Sequence, residues 1–251
     1  MNSSNSLRGR SARACSRAFA KPGLMALLLA LITTTTASRA ATPPPPTLMY
    51  TAANSASIHG GVATIGTSGI TYFSTLSTAT TRANVTSLYA SGAERWKFSA
   101  PGDGTGFNMY GIPVLDAAGQ KLYIGSDAGI FYCRSTTDGT SAAGWTDFTV
   151  PGSGDRRIRS GAALDPNNPL GSTVYFHCND GYVYALDANT GAQRWRAYSG
   201  NVGGPPADST FNPQPVSSSP VVDSSGVVYV GSSDGSVYAL NASNGSQVYG
   251  A

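Results

Sequence analysis

The sixteen residues "DGYVYALDANTGAQRW" (Asp180–Trp195) return as "DGSVYALNASNGSQVY" (Asp234–Tyr249), 54 positions later. Around them four units of one design can be aligned. The last reads "SSPVVD" (Ser218–Asp223), "GVVYVGSSDG" (Gly226–Gly235), "SVYALNASNG" (Ser236–Gly245) and "SQVYGA" (Ser246–Ala251). The third reads "GAALD" (Gly161–Asp165), "STVYFHCNDG" (Ser172–Gly181), "YVYALDANTG" (Tyr182–Gly191) and "AQRWRA" (Ala192–Ala197). The second has "GIPVLD" (Gly111–Asp116), "QKLYIGSDAG" (Gln120–Gly129), "IFYCRSTTDG" (Ile130–Gly139) and then Trp145. The first is the most degenerate: "GVATIG" (Gly61–Gly66), "GITYFS" (Gly69–Ser74), "ANVTSLYASG" (Ala83–Gly92) and "AERWKF" (Ala93–Phe98). Trp96, Trp145 and Trp195 fall 49 and 50 residues apart. A shared period of about 50 residues marks a chain built from like modules.

Each module parses as four short strands. Runs such as "VVYVG" and "SVYAL" are rich in β-formers, and "NDGY" between two of them is a tight hairpin in which Gly supplies positive φ. In "YVYAL", Tyr182, Tyr184 and Leu186 point one way while Val183 and Ala185 point the other. Both faces are therefore apolar, and a sheet apolar on both faces must be covered on both. One four-stranded module cannot do this alone, but copies stacked face to face around an axis can. The chain is expected to be all-β, a propeller of four-stranded antiparallel blades. About four blades are encoded, as a closed small ring or a partial one. The composition agrees, with 12% charged residues and 30 glycines. Trp195 and Tyr249, one turn beyond "ANTG" and "ASNG", belong in the outermost strand, where a large ring locks one blade against the next. Gly125 and Gly231 end their second strands, where a missing side chain permits close approach of the next blade.

At these residues the sequence resembles the PQQ-like, or quinoprotein-type, repeat family of propellers, whose hallmark is Ala-x-Asp-x-x-Thr-Gly-x-x-x-Trp. Ala185, Asp187, Thr190, Gly191 and Trp195 match it in full. The fourth unit departs with Ala239, Asn241, Asn244, Gly245 and Tyr249; the first keeps Gly92 and Trp96; the second keeps Gly139, with Trp145 displaced by two. The resemblance covers about residues 48–251. It implies the fold but not an activity, because the family holds alcohol and sugar dehydrogenases as well as non-enzymatic members similar to the outer-membrane assembly propeller lipoprotein. Family propellers have seven or eight blades. Four blades here leave open a closed small ring, a homodimer of two halves completing a ring, or a truncated product. "TLMYTA" (Thr47–Ala52) resembles the outer-strand segments and competes with "SQVYGA" for the last blade's outer slot.

Ahead of the repeats, residues 1–40 read as an export or targeting segment. Arg8, Arg10, Arg13, Arg17 and Lys21 precede the nine apolar residues "LMALLLALI" (Leu24–Ile32), and "SRA" (Ser38–Ala40) supplies a small-residue cleavage site. Nine helical residues reach about 14 Å, half a bilayer core, so export is favoured over a retained membrane anchor. An organelle targeting sequence ahead of a second signal stays open. Residues 41–47 form a stiff proline-rich spacer, and 48–251 carry the repeats. Six of the 16 basic residues and none of the 13 acids lie in 1–40, which leaves the remainder net acidic. The basic total therefore gives no case for a nucleic-acid partner. Of three cysteines, Cys133 and Cys178 remain, expected as small half-buried side chains with a bridge as the alternative. Asn84, Asn241 and Asn244 carry glycosylation sequons of a kind that turn-rich sequences produce by chance.

Candidate chemistry is sparse. A quinone-binding enzyme of the resembled type needs carboxylates and an amide around Ca²⁺, a catalytic Asp, a Trp stacked over the cofactor and often an adjacent Cys pair. No Cys-Cys occurs, and Glu94 is the one Glu. Asp127, Asp180 and Asp234 sit in hairpins, and Asp116, Asp165 and Asp223 follow inner strands, where carboxylates satisfy local N–H groups. Asp187, Asn189 and Gly191 resemble part of a calcium loop, but the later Glu is missing. His59 falls in a polar loop and His177 in a strand, and no triad or zinc site can be assembled from them. The residues leave catalysis open, with the balance against it. No cofactor is expected; PQQ and Ca²⁺ enter only if the chain is a fragment or subunit of a quinoprotein oxidoreductase. The favoured reading is an exported scaffold that binds a protein partner through the loops joining one blade to the next. Among these, "DRRIR" (Asp155–Arg159) supplies Arg156, Arg157 and Arg159 as candidate contacts for an acidic partner. Phe107, Tyr110 and Phe211 are candidate hot-spot aromatics.

Overall fold

Strand, hairpin, strand repeats through the molecule as the sequence pattern dictates. The computed structural model describes residues 64–66, 69–76, 82–100, 108–199, 218–232 and 235–248. The leader, the spacer, Thr47–Ala52, His59, Phe107, Phe211, Asp234 and Tyr249 lie outside the described residues. Four antiparallel sheets follow one another, each with its strands in sequence order. The first holds β1 (Thr64–Ile65), β2 (Thr71–Ser74), β3 (Asn84–Leu88) and β4 (Glu94–Ser99). The second holds β5 (Val114–Leu115), β6 (Lys121–Gly125), β7 (Ile130–Ser135) and β8 (Phe148–Thr149). The third holds β9 (Ala162–Asp165), β10 (Thr173–His177), β11 (Tyr182–Asp187) and β12 (Gln193–Tyr198). The fourth holds β13 (Val221–Val222), β14 (Val227–Gly231) and β15 (Val237–Asn241). Along the outer edge of β15, Gln247 bridges Leu240 and the Val248 N–H donates to the Ala239 carbonyl at 2.8 Å. Ser246–Val248 therefore takes the slot for which Thr47–Ala52 was the rival.

The two faces of β11 separate as the alternation requires. Tyr184 and Leu186, with Tyr182 beside them, join a cluster with Tyr123, Phe131 and Cys133 of the second sheet. Val183 and Ala185 join Val228, Val230 and Leu240 of the fourth. A third cluster joins Tyr72, Val85 and Trp96 of the first sheet to Leu122, Ile124 and Tyr132 of the second. At the second interface Phe131 stacks on Phe176 with centroids 4.3 Å apart, and Phe176 stacks on Tyr184 at 5.2 Å. These are blades in face-to-face contact, and no blade buries its core without a neighbour. Among the described residues no apolar cluster joins the fourth sheet to the first, and Val221, Tyr229 and Val237 on the far face of the fourth are exposed. The described blades stack as consecutive parts of a propeller. No helix among these residues is long and apolar enough to cross a membrane.

The tryptophans lock successive blades. Trp96 in β4 donates its Nε1–H to the Thr136 carbonyl of the second blade at 2.9 Å, and Trp195 in β12 donates to the Ala242 carbonyl of the fourth at 3.0 Å. Each ring lies over a glycine in the receiving turn, Gly139 (φ +75°) and Gly245 (φ +73°), where a Cβ would come within 2.7 Å of it. Trp145 departs from the pattern. It precedes β8 instead of lying in it, and its buried Nε1–H has no partner among the described residues. The corresponding carbonyl, that of Ala188, already accepts from the Tyr123 hydroxyl at 2.7 Å and from Lys121 Nζ at 3.3 Å. Trp145→Phe removes an orphaned donor, so it should change stability by less than about 0.5 kcal/mol, whereas Trp195→Phe should cost about 1 kcal/mol for its lost bond. Urea denaturation of the two variants side by side measures the contrast. Equal losses would show that the orphan is not real.

Candidate functional site

The connection from the second blade to the third runs from Val150 to Ser160 and carries the basic cluster. Gly125 ends β6 with no side chain because Ile158 fills the space: a Cβ there would lie 2.2 Å from Ile158 Cγ2. The predicted close approach at Gly125 is thus made by the connecting loop, not by the sheet of the next blade. Ile158 is fully buried, and its N–H donates to the Ser126 carbonyl at 3.0 Å. The arginines on either side of it are held. Arg159 forms a fork with Asp127, Nε to Oδ1 at 2.8 Å and Nη2 to Oδ2 at 2.9 Å, and its guanidinium lies 4.4 Å from the Tyr110 ring centroid. Arg157 pairs with Asp155, which also accepts from Asn179 Nδ2 at 3.1 Å. Burial alone would raise the Asp155 carboxyl, but Arg157, Asn179 and a backbone N–H hold it below its ordinary value. Arg156 has no carboxylate partner among the described residues; its Nη1 reaches only the Val150 carbonyl, at 3.4 Å. The sequence showed three like charges. The structure brings two of them into ion pairs and leaves the third half-exposed beside the exposed Pro151–Gly154.

His177, in β10, is fully buried, and its Nε2 lies 2.8 Å from Ser199 Oγ. Its Nδ1 has no hydrogen-bond partner among the described residues, and the Ser218 main chain is a further polar neighbour of the ring. Burial lowers its pKa to about 4. The Ser199 hydroxyl also lies 3.0 Å from the Gly181 carbonyl, and both residues are shut away from solvent, so the pair ties β10 to the end of β12. Stability contributed by the neutral ring is intact above about pH 6.5, falls as pH drops, and is fully lost below about pH 4. A shift of this size corresponds to about 3 kcal/mol. The neighbouring Asp180, raised by burial, works in the opposite direction in this range. His177→Gln cancels that contribution: the stability gap between wild type and variant should narrow by about 3 kcal/mol between pH 7 and pH 4. A gap independent of pH would show that the ring titrates normally.

Cys133 and Cys178 are free and fully buried in the same apolar cluster, more deeply than the half-buried placement expected of them. Burial pushes the Cys133 thiol up to about 12 and the Cys178 thiol up further. Both are poor nucleophiles as a result. Among the described residues no group of three His, Cys, Asp or Glu side chains could hold a metal ion. The repeat residues have structural positions. Ala185 is buried on β11, and Asp187 Oδ1 accepts the N–H groups of Asn189 and Thr190 at 2.8 and 3.0 Å. Thr190 accepts the Thr146 N–H of the preceding blade at 3.0 Å. Asp116, Asp165, Asp180 and Asp223 likewise accept local N–H groups.

Two features escaped the sequence reading. Arg134, almost fully buried, forms a fork with Asp147 at 2.7 Å on both nitrogens and lies 4.1 Å from the Phe98 ring of the preceding blade. Tyr123 and Tyr175 donate to main-chain carbonyls of the following blade, those of Ala188 and Ala242. The recurrence of Tyr in "TYF", "LYI", "VYF" and "VYV" was the available signal for the second feature.

Against known proteins, residues 51–250 match a family model described as outer membrane protein assembly factor BamB. The crystal structure of BamB from Moraxella catarrhalis is similar, with a TM-score of 0.56 and 18% sequence identity over 76% of this chain and 52% of that one. The chain thus spans about half the length of that propeller. No curated protein sequence gives a significant match.

Proposed function

This chain belongs to the outer membrane protein assembly factor BamB family, and from that membership we propose that it works as an exported, non-enzymatic scaffold that holds a protein partner through its blade-connecting loops. The observation that carries the reading is the Val150–Ser160 connection. Its main chain is pinned by Ile158 beneath Gly125 and by the Arg159–Asp127 fork. Pro151–Gly154 and the uncommitted charge of Arg156 remain available at the surface. A loop ordered before binding loses little entropy on engagement. Its charge suits an acidic segment of the partner. Export rests on the character of residues 1–40, and no cofactor is part of the proposal.

A photo-crosslinking amino acid placed at Ser153 of the full chain, produced in cells that export it, tests the loop. We expect one discrete crosslinked protein, reduced at least tenfold by Arg156→Glu. A crosslinker at Ser153 that captures nothing, or captures the same product despite Arg156→Glu, overturns the loop as the contact. Adding PQQ with Ca²⁺ to the purified chain should give no saturable spectral change, and dye reduction in that assay would place the chain among the oxidoreductases instead.

A further inference from the structure

Among the described residues, three turns lie against a tryptophan of the preceding blade, and each is built around a positive-φ glycine. An added Cβ would come within 2.7 Å of Trp96 at Gly139, 3.2 Å of Trp145 at Gly191 and 2.7 Å of Trp195 at Gly245. The residue before the glycine differs from turn to turn: Asp138, Thr190 and Asn244. Thr190 is the residue of the repeat motif. Asn244 departs from it, and Asn244–Gly245 is the one Asn-Gly step in the whole sequence.

That step carries a chemistry of its own. Glycine has no side chain to shield its main-chain nitrogen, so the nitrogen can attack the side-chain carbonyl of a preceding asparagine, a thermally labile residue. Gly245 N forms a bond to Asn244 Cγ, and ammonia leaves with the amide nitrogen and the proton that Gly245 gives up. Water then opens the five-membered imide at either carbonyl. One product is aspartate. The other is isoaspartate, whose main chain runs through the side-chain carbon and is one carbon longer.

The folded turn restrains both reactants. Asn244 is exposed, so water reaches it, but its Oδ1 accepts the Ser246 N–H at 2.9 Å. The Gly245 N–H donates to the Asn241 carbonyl at 2.8 Å, and the glycine is buried beneath Trp195. The indole is itself tied to the Ala242 carbonyl at 3.0 Å. For attack, Gly245 N must give up its bond and swing toward Cγ, and the closed seam leaves no room for that.

We infer that Asn244 is a deamidation site gated by the seam between the third and fourth blades. It reacts in molecules whose Trp195 has left Gly245, and the isoaspartate formed keeps the seam from closing again. A turn one carbon longer no longer sets Gly245 under the indole while holding the Ala242 carbonyl at Nε1. A transient opening is thereby made permanent at one interface. The rate in the folded chain is the rate of the open turn multiplied by the fraction open. Asp138–Gly139 can form the same imide by losing water, but a carboxylate is the poorer acceptor. Asp138 Oδ1 is also engaged by the Thr140 N–H and hydroxyl at 3.1 and 2.8 Å, so the first interface keeps its turn. The inference stands apart from the loop contact proposed above.

The full chain is incubated at mildly alkaline pH beside the free peptide Ala-Ser-Asn-Gly-Ser-Gln, the sequence of residues 242–247. Peptide mapping by mass spectrometry follows conversion at position 244. Wild type should convert at least twentyfold more slowly than the peptide. Trp195→Phe, which loses the bond to Ala242, should convert about fivefold faster than wild type, the factor that corresponds to one hydrogen bond. Trp96→Phe, which loses the equivalent bond to Thr136 at the first interface, should convert at the wild-type rate. Wild type as fast as the peptide overturns the gate, and so does a Trp195→Phe chain no faster than wild type. Equal acceleration in both variants also overturns it, since unfolding of the whole chain would then expose the site. The second arm reads the product. The isolated isoaspartate fraction should exchange amide hydrogens at Val230 and Leu240 at least tenfold faster than unaged chain. Asn244→Asp, which carries the charge without the extra carbon, should exchange as wild type does. An isoaspartate fraction that exchanges like unaged chain, or an Asn244→Asp chain that is loosened equally, overturns the one-way step.

Discussion

Trp195→Ala should lower the free energy of unfolding by about 4 kcal/mol, the upper part of the range for removing a buried aromatic. The ring is 8% exposed and sits between the third and fourth blades. It covers Gly245, approaches Tyr175 with centroids 5.6 Å apart, and donates to Ala242. Truncation leaves a cavity that neither sheet can close, because Gly245 is held by its own N–H donating to the Asn241 carbonyl at 2.8 Å. The loss should be uneven. In a stacked array each blade depends on its neighbours, so the terminal blade, with one described partner, responds first. Hydrogen exchange at Val228, Val230 and Leu240 should accelerate by at least two orders of magnitude while Leu122 and Tyr132, at the first interface, change little. A uniform acceleration across all four blades would mean that the array unfolds as one unit. A loss below about 1.5 kcal/mol would mean that the ring is not the lock.

The stacking was legible because both periodicities that encode it are local. Alternation in "YVYAL" needs five residues, and the turn marked by Asp187, Thr190 and Gly191 needs five more. What joins one blade to another was less legible. Tyr175 meets the Ala242 carbonyl 67 residues on, and that pairing depends on how two sheets dock, not on either segment alone. Arg134 and Asp147 meet because the second blade's path to its outer strand is longer, which is also why Trp145 misses the motif position; the repeat pattern cannot predict the insertion that breaks it. Charge was visible in "DRRIR", but its disposition was not. Arg159 finds Asp127, 32 residues earlier, through the insertion of Ile158 beneath Gly125, and neither residue carries a local sign of the other. The candidate site is therefore less legible than the fold, since loops take their geometry from whatever they pack upon.

Gly191→Ala should cost about 3 kcal/mol, combining a left-handed backbone penalty with overpacking at a seam that cannot open. Gly191 holds φ +79°, and an added Cβ would lie 2.3 Å from the Thr146 carbonyl oxygen and 3.2 Å from Trp145 Cε2. The first is a main-chain atom of the preceding blade, fixed by the Thr146 N–H bond to Thr190. Relief would require the second and third blades to separate, against the stacked Phe131 and Phe176. Gly119→Ala supplies the reference: it too has positive φ, +66°, but nothing lies within 4 Å of the new Cβ, so it should cost about 1 kcal/mol for the backbone alone. Chemical denaturation of both variants isolates the packing contribution, because the conformational penalty is common to them. A difference near 2 kcal/mol would put the cost at the contact between blades. Equal losses would mean that the seam yields, and then the glycine of the repeat is there for its turn and not for the neighbour it receives.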